Sequence, residues 1–125
     1  NNMSYSDRQY FAKNNIEIAK KINEYVLQNF TETITYEKLS ETFHIKITTM
    51  KNCYKSIYGE TINDTIIKKR LEEAALLLKN SALSITGIAI QVGYTDHSKF
   101  SNAFKKRYNL TPSEYKKISK TAHLV

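Results

Sequence analysis

Shifting the chain by fifty residues lays Met50, Asn52, Cys53, Tyr54, Lys55 and Tyr58 on Phe100, Asn102, Ala103, Phe104, Lys105 and Tyr108. In the first copy Met50, Cys53, Tyr54 and Ile57 fall at i, i+3, i+4 and i+7, the spacing of one helix face. A short helix precedes each copy, and these align at a shift of forty-nine, Leu39 on Ile88 and Phe43 on Val92. A one-residue difference in the intervening turn accounts for the two shifts, and an internal duplication of a helix pair is the simplest explanation. Strand-like alternation is hard to find, and the chain reads as all-helical.

The remaining elements follow from periodicity and end signals. Asn1 to Ala12 are polar with scattered aromatics and read as a linker remnant. Ile16, Ala19, Ile22, Val26 and Phe30 then form an apolar stripe predicting a helix of about four turns. Thr35 is a suitable N-cap for the helix reaching Phe43, and Gly59 a left-handed terminator for the one over about 47–58. Thr61, with Asp64 three residues on, opens the longest helix, carrying Ile62, Ile66, Leu71, Ala74, Ala75 and Leu78; at 1.5 Å per residue it runs about 28 Å. Ser84 to Val92 and Asp96 to Tyr108 form the second pair around Gly93. Thr111-Pro112-Ser113-Glu114 then carries N-cap, N1 proline and N3 glutamate signals for a closing helix to about Ile118. The organisation expected is therefore 1–13 linker remnant, 14–60 first helix-turn-helix subdomain, 61–80 linker helix, 81–119 second subdomain and 120–125 tail.

With only 3 Gly and 1 Pro among 125 residues, and 41% apolar residues, the chain is an all-α domain able to bury a core. Its 19 Lys and Arg against 12 Asp and Glu give a formal charge of +7, which favours a polyanionic partner but fits any basic soluble protein. The single cysteine, Cys53, excludes an internal disulfide framework and is expected to serve packing in a reducing compartment. No apolar run approaches the roughly 20 residues of a membrane span, and no signal-peptide pattern opens the chain. A cytoplasmic protein without membrane association is expected.

A helix pair of this kind suits duplex DNA, because one helix braces the backbone while the second enters the major groove. Opposite its apolar stripe, the second helix of the first unit carries Thr48, Thr49, Lys51, Asn52 and Lys55; that of the second carries His97, Ser98, Lys99, Ser101, Asn102, Lys105 and Lys106. Asn pairs bidentately with adenine, Lys with guanine, and the Thr methyl packs on that of thymine. Two such helices on a stiff rod of about 28 Å can address major-groove segments about 34 Å apart, and a mismatch is absorbed by bending the duplex at about 1–6 kcal/mol. The same faces also fit a solvated surface, and a basic helical module binding protein or RNA without reading sequence is the competing function.

The run from Ser84 through Lys106, SITGIAIQVGYTDHSKFSNAFKK, closed by Leu110-Thr111-Pro112-Ser113-Glu114-Tyr115, resembles the AraC/XylS family of bacterial transcription regulators. The resemblance covers about residues 15–118, including Arg70 through Leu78. It implies a domain of seven helices with two helix-turn-helix units, usually C-terminal in a regulator whose upstream part senses a ligand or phosphorylation. It further implies double-stranded DNA and RNA polymerase as partners. Carried onto matching positions, it makes Thr48, Thr49, Lys51 and Asn52, then His97, Ser98, Lys99 and Asn102, the groove-facing residues. Lys46 to Tyr54 is similar to the subgroup resembling pyochelin regulators, which sense ferric siderophores. Two departures stand out. Gly87 replaces the usual charged helix former, at about 0.5–1 kcal/mol relative to Ala. Asn52 and Asn102 stand where many members place Arg, which puts guanine contacts there in doubt.

Other features point to no further chemistry. His44 is expected in the first turn and His123 in a frayed tail; with His97 and Cys53 they lack zinc-site spacing, so no metal and no cofactor are expected. Lys68-Lys69-Arg70 precedes Glu72 and Glu73 and reads as a mixed solvated face. Tyr54, Tyr58, Tyr94 and Tyr108 read as core or turn anchors. No phosphate loop, carboxylate pair or nucleophile-base motif is visible, so no enzymatic activity is expected. The isolated domain is expected to be a monomer.

Overall fold

The computed structural model describes residues 4–122, which form seven helices and, among the described residues, no strand. They are α1 (Tyr5–Asn29), α2 (Tyr36–Phe43), α3 (Ile47–Tyr58), α4 (Ile62–Asn80), α5 (Ile85–Gln91), α6 (His97–Tyr108) and α7 (Pro112–Ala122). They divide into two compact units. The first holds the described residues up to Asn29 together with Ile34–Ile66; the second holds Phe30–Thr33 and the chain from Ile67 onward.

In the first unit Ile22 and Val26 of α1, Leu39 of α2, Ile45, Met50 and Tyr54 of α3, and Ile62 and Ile66 of α4 form one buried cluster. The Thr35 hydroxyl accepts the Lys38 N–H at 3.1 Å and starts α2. His44 takes a left-handed conformation (φ 52°) to end it. The chain turns there, sends Ile45 into the core, and begins α3 two residues later. Gly59 ends α3 at φ 75°, its N–H donating to the Lys55 carbonyl, a conformation glycine reaches without a Cβ penalty. A polar thread crosses this core. The Tyr54 hydroxyl lies 2.7 Å from Asn23 Oδ1 and 2.9 Å from Thr65 Oγ1, and Thr65, itself buried, reaches Glu60 Oε2 at 2.8 Å.

The second unit is built from aromatic rings instead. Phe104 is fully buried, with ring centroids of Tyr108, Tyr115 and Phe100 at 4.7, 5.4 and 5.9 Å. Leu71, Ala74, Ala75 and Leu78 of α4, Ile88 and Ala89 of α5, and Val92 complete the cluster. Its helix starts are secured locally. Ser84 Oγ accepts the Gly87 N–H, and Asp96 Oδ1 accepts those of Ser98 and Lys99. Thr111 and Glu114 exchange two bonds in a capping box, as Thr61 and Asp64 do at the start of α4.

Several expectations are corrected. Helix α1 begins at Tyr5, inside the stretch read as linker, where the sequence shows no sustained apolar stripe to mark a helix. Ile16 is 40% exposed, and Phe30 lies past the end of α1 within the second unit, so neither extends the α1 stripe into the core. Helix α7 continues past Ile118 to Ala122. The basic run on α4 is not uniformly solvated: Lys69 pairs with Glu72 at 3.4 Å, but Arg70 is half-buried and donates to the carbonyls of Phe30 and Glu32. The tail expectation for His123 lies outside the described residues.

Candidate nucleic-acid interface

Helices α3 and α6 each follow a short helix and a tight turn, and each buries one face: Met50 and Tyr54 in α3, Phe100 and Phe104 in α6. The opposite faces are polar and match. Thr48, Lys51, Asn52 and Lys55 fall at i, i+3, i+4 and i+7 on α3; Ser98, Ser101, Asn102 and Lys105 occupy the same register on α6, fifty residues on. Thr48, Lys51, Asn52 and Lys55 are exposed, as are His97, Ser98, Lys99, Asn102, Lys105 and Lys106. Thr49 and Ser101 are half-buried, each at the margin between polar and packed faces. None of the twelve is taken into a core.

The two helices differ in their electrostatics. Asp96 caps α6, so two of its first-turn N–H groups are occupied, whereas Lys46 supplies no side-chain cap to α3. The last turn of α6 holds Lys105, Lys106 and Arg107, cations placed at the negative end of the helix dipole. Arg107 is drawn aside, 3.7 Å from Glu72 and over the Tyr108 ring. On α3, Lys51 Nζ sits 5.3 Å from the centroid of Tyr36, at the start of α2. Cys53 and Asn52 border an apolar cleft of about 420 Å³ between α1 and α3. Among the described residues no group of three or more His, Cys, Asp or Glu side chains is arranged to hold a metal ion. No helix there is long and apolar enough to cross a membrane.

A protein of two compact helical units, each presenting a polar helix face beside a tight turn, belongs to the helix-turn-helix class. The family model described as a helix-turn-helix domain matches residues 39–118, and the chain belongs to that AraC-type family. It is 34% identical over 101 residues to the transcriptional activator RhaS of Mannheimia succiniciproducens, covering 81% of this chain and 38% of RhaS. The C-terminal domain of the response regulator yesN from Fusobacterium nucleatum superposes with a TM-score of 0.74 at 32% identity, over 78% of this chain and 95% of that one. The DNA-binding domain of AdpA, solved with a target DNA, shares the fold with a TM-score of 0.78 at 18% identity, over 83% and 94% of the two chains. The chain spans about a third to a half of the length of its first curated relatives.

Proposed function

We propose that this chain is the DNA-binding part of a bacterial transcription regulator and reads double-stranded DNA with α3 and α6. The observation that carries the reading is the pair of largely exposed polar faces in one register, each backed by buried core residues, Met50 and Tyr54 in α3 and Phe100 and Phe104 in α6. Family membership supports it. Asn52 and Asn102 offer the amide that pairs with adenine, Thr48 and Ser98 are small groups for close base-edge contact, and Lys51, Lys55, Lys99, Lys105 and Lys106 supply phosphate or guanine contacts. Thr49, Ser101 and His97 flank those faces. The two readers take neighbouring major-groove segments, so a bound site has two half-sites about one helical turn, about 34 Å, apart. The role is binding, with no chemistry assigned to the chain. An upstream sensing part and RNA polymerase are the partners proposed for the whole regulator, a cytoplasmic protein, and the isolated domain is a monomer.

Selection from random duplexes followed by sequencing tests this. The expected outcome is enrichment of a bipartite site whose affinity falls steeply with salt. Asn102→Ala relaxes base preference in one half, by about 1–3 kcal/mol of discrimination. Random duplexes competing as well as any selected one would instead assign the basic faces to polyanion or protein binding without sequence readout.

A further inference from the structure

Arg70 is half-buried, yet its guanidinium is met by backbone oxygen: Nε donates to the Phe30 carbonyl at 2.6 Å and a terminal nitrogen to the Glu32 carbonyl at 2.8 Å. Removal from water disfavours its charged form, so the guanidinium pKa lies below its usual value. The two carbonyl acceptors offset part of that cost by pairing donors on one side of the fork. The other side of the group faces the turn of the second helix pair. Its central carbon lies 5.6 Å from the centroid of Tyr94, whose ring in turn packs on Phe100 of α6 at 5.5 Å. Gly93, at φ 110°, closes the contact: a Cβ there would come within 2.8 Å of the Thr31 carbonyl oxygen and 2.9 Å of the guanidinium. The Phe30–Thr33 segment, the guanidinium and the turn are thus packed against one another within the second unit. Asp96, the N-cap of α6, follows Gly93 by three residues.

We infer that Arg70 is a positioning residue for the second reader: by holding Gly93 and Tyr94 against the Phe30–Thr33 segment it sets where α6 starts and how it is presented. This rests on the DNA-reading proposal above. The reason is mechanical. Asn102 lies five residues beyond the first residue of α6, about 7.5 Å along the axis, and the helix moves as one body. A base-edge hydrogen bond is confined to about 2.7–3.2 Å, so a small shift at the turn removes the bonds from His97, Ser98, Lys99 and Asn102 together. Arg suits the post and Lys does not, because a planar fork reaches two carbonyls while stacking on a ring.

The test uses the bipartite duplex from the selection, with the half-site of α6 assigned as the one whose preference Asn102→Ala relaxes. Dissociation constants are measured for the parent, Arg70→Met and Arg70→Lys on the intact duplex and on duplexes with either half-site scrambled. Arg70→Met is expected to weaken the intact site about tenfold, equivalent to about 1.4 kcal/mol, and to flatten base preference in the α6 half alone. Binding to a duplex retaining only the α3 half-site changes less than about twofold by the same scale. Arg70→Lys falls between. An arginine that merely holds the fold together would lower both halves equally, and that result, or no loss at all, overturns the inference. Should thermal melting show Arg70→Met unfolded, Arg70→Lys and Tyr94→Leu are judged by the same half-site criterion. A parent chain that enriches no duplex overturns the DNA-reading proposal and this inference with it.

Discussion

Tyr54 and Phe104 occupy equivalent places in the two units, and exchanging the hydroxyl between them is a direct test of how each core is held. Tyr54→Phe removes two hydroxyl contacts, to Asn23 and Thr65. A hydrogen bond contributes about 0.5–1.5 kcal/mol net. The upper sum of about 3 is not reached, because the one Tyr54 hydroxyl proton is shared between two acceptors while Thr65 donates its own to Glu60, and half-buried Asn23 can take a water. We expect a loss of about 1–2 kcal/mol, a midpoint shift of about 5–10 °C for a unit of this size. Phe104→Tyr is expected to cost more. The added oxygen enters a fully buried site ringed by Phe100, Tyr108 and Tyr115, with about 1–3 kcal/mol for the unpaired hydroxyl and a similar amount for overfilling. Urea unfolding followed by circular dichroism gives both numbers, and amide hydrogen exchange shows which unit has loosened. A Tyr54→Phe chain within 0.5 kcal/mol of the parent, or a Phe104→Tyr chain no worse than it, would refute the account of the two interiors.

Gly93→Ala should destabilise by about 2 kcal/mol or more, since strain at φ 110° adds to a backbone contact at 2.8 Å, whereas Gly59→Ala meets nothing within 4 Å and costs about 1–2 kcal/mol; paired urea curves rank them. The Asp64 and Glu114 carboxyl pKa values are lowered by hydrogen bonds from the Thr61 and Thr111 backbone N–H groups. Their contribution is therefore present above the ordinary carboxylate range and is lost as pH falls through it, below about pH 4. Helical ellipticity of the parent should drop there, and an Asp64→Asn, Glu114→Gln double variant should lack that step. Burial raises the Tyr54 and Tyr94 phenol pKa values, so their contribution is complete below about pH 10 and lost above it. Burial raises the Tyr58 phenol pKa in the same direction, so stability should decline in strong alkali, and ultraviolet titration should show late-ionising tyrosines, one fewer of them in Tyr54→Phe.

What the sequence made legible was whatever is settled by residues three or four apart. The α3 and α6 stripes, the Thr35 cap, the Thr61 and Thr111 capping boxes and the Gly59 terminator all belong to that class, and each is present. Arg70 was hidden because its acceptors are carbonyls 38 and 40 residues away, and a carbonyl has no side-chain signature. The Lys68-Lys69-Arg70 run beside two glutamates looks like any exposed helix face. The early start of α1 was hidden for a different reason: the stretch before Ile16 carries no sustained apolar rhythm at helical spacing. The polar faces of α3 and α6 were readable as faces, while the half-burial of Thr49 and Ser101 depends on neighbours outside the helix.

The segment Phe30–Thr33 also bears on how this molecule can be dissected. A fragment cut to contain only the stretch from Ile67 onward would carry every helix of the second unit beyond the division of α4, yet lack the strip of main chain that accepts the Arg70 protons. Such an excised piece would carry an orphaned cation and a bare Gly93 surface. Supplying a peptide spanning Phe30–Thr33 in trans, or grafting it by a flexible loop, is what would restore those acceptors: modules that are contiguous in space need not be contiguous in the gene.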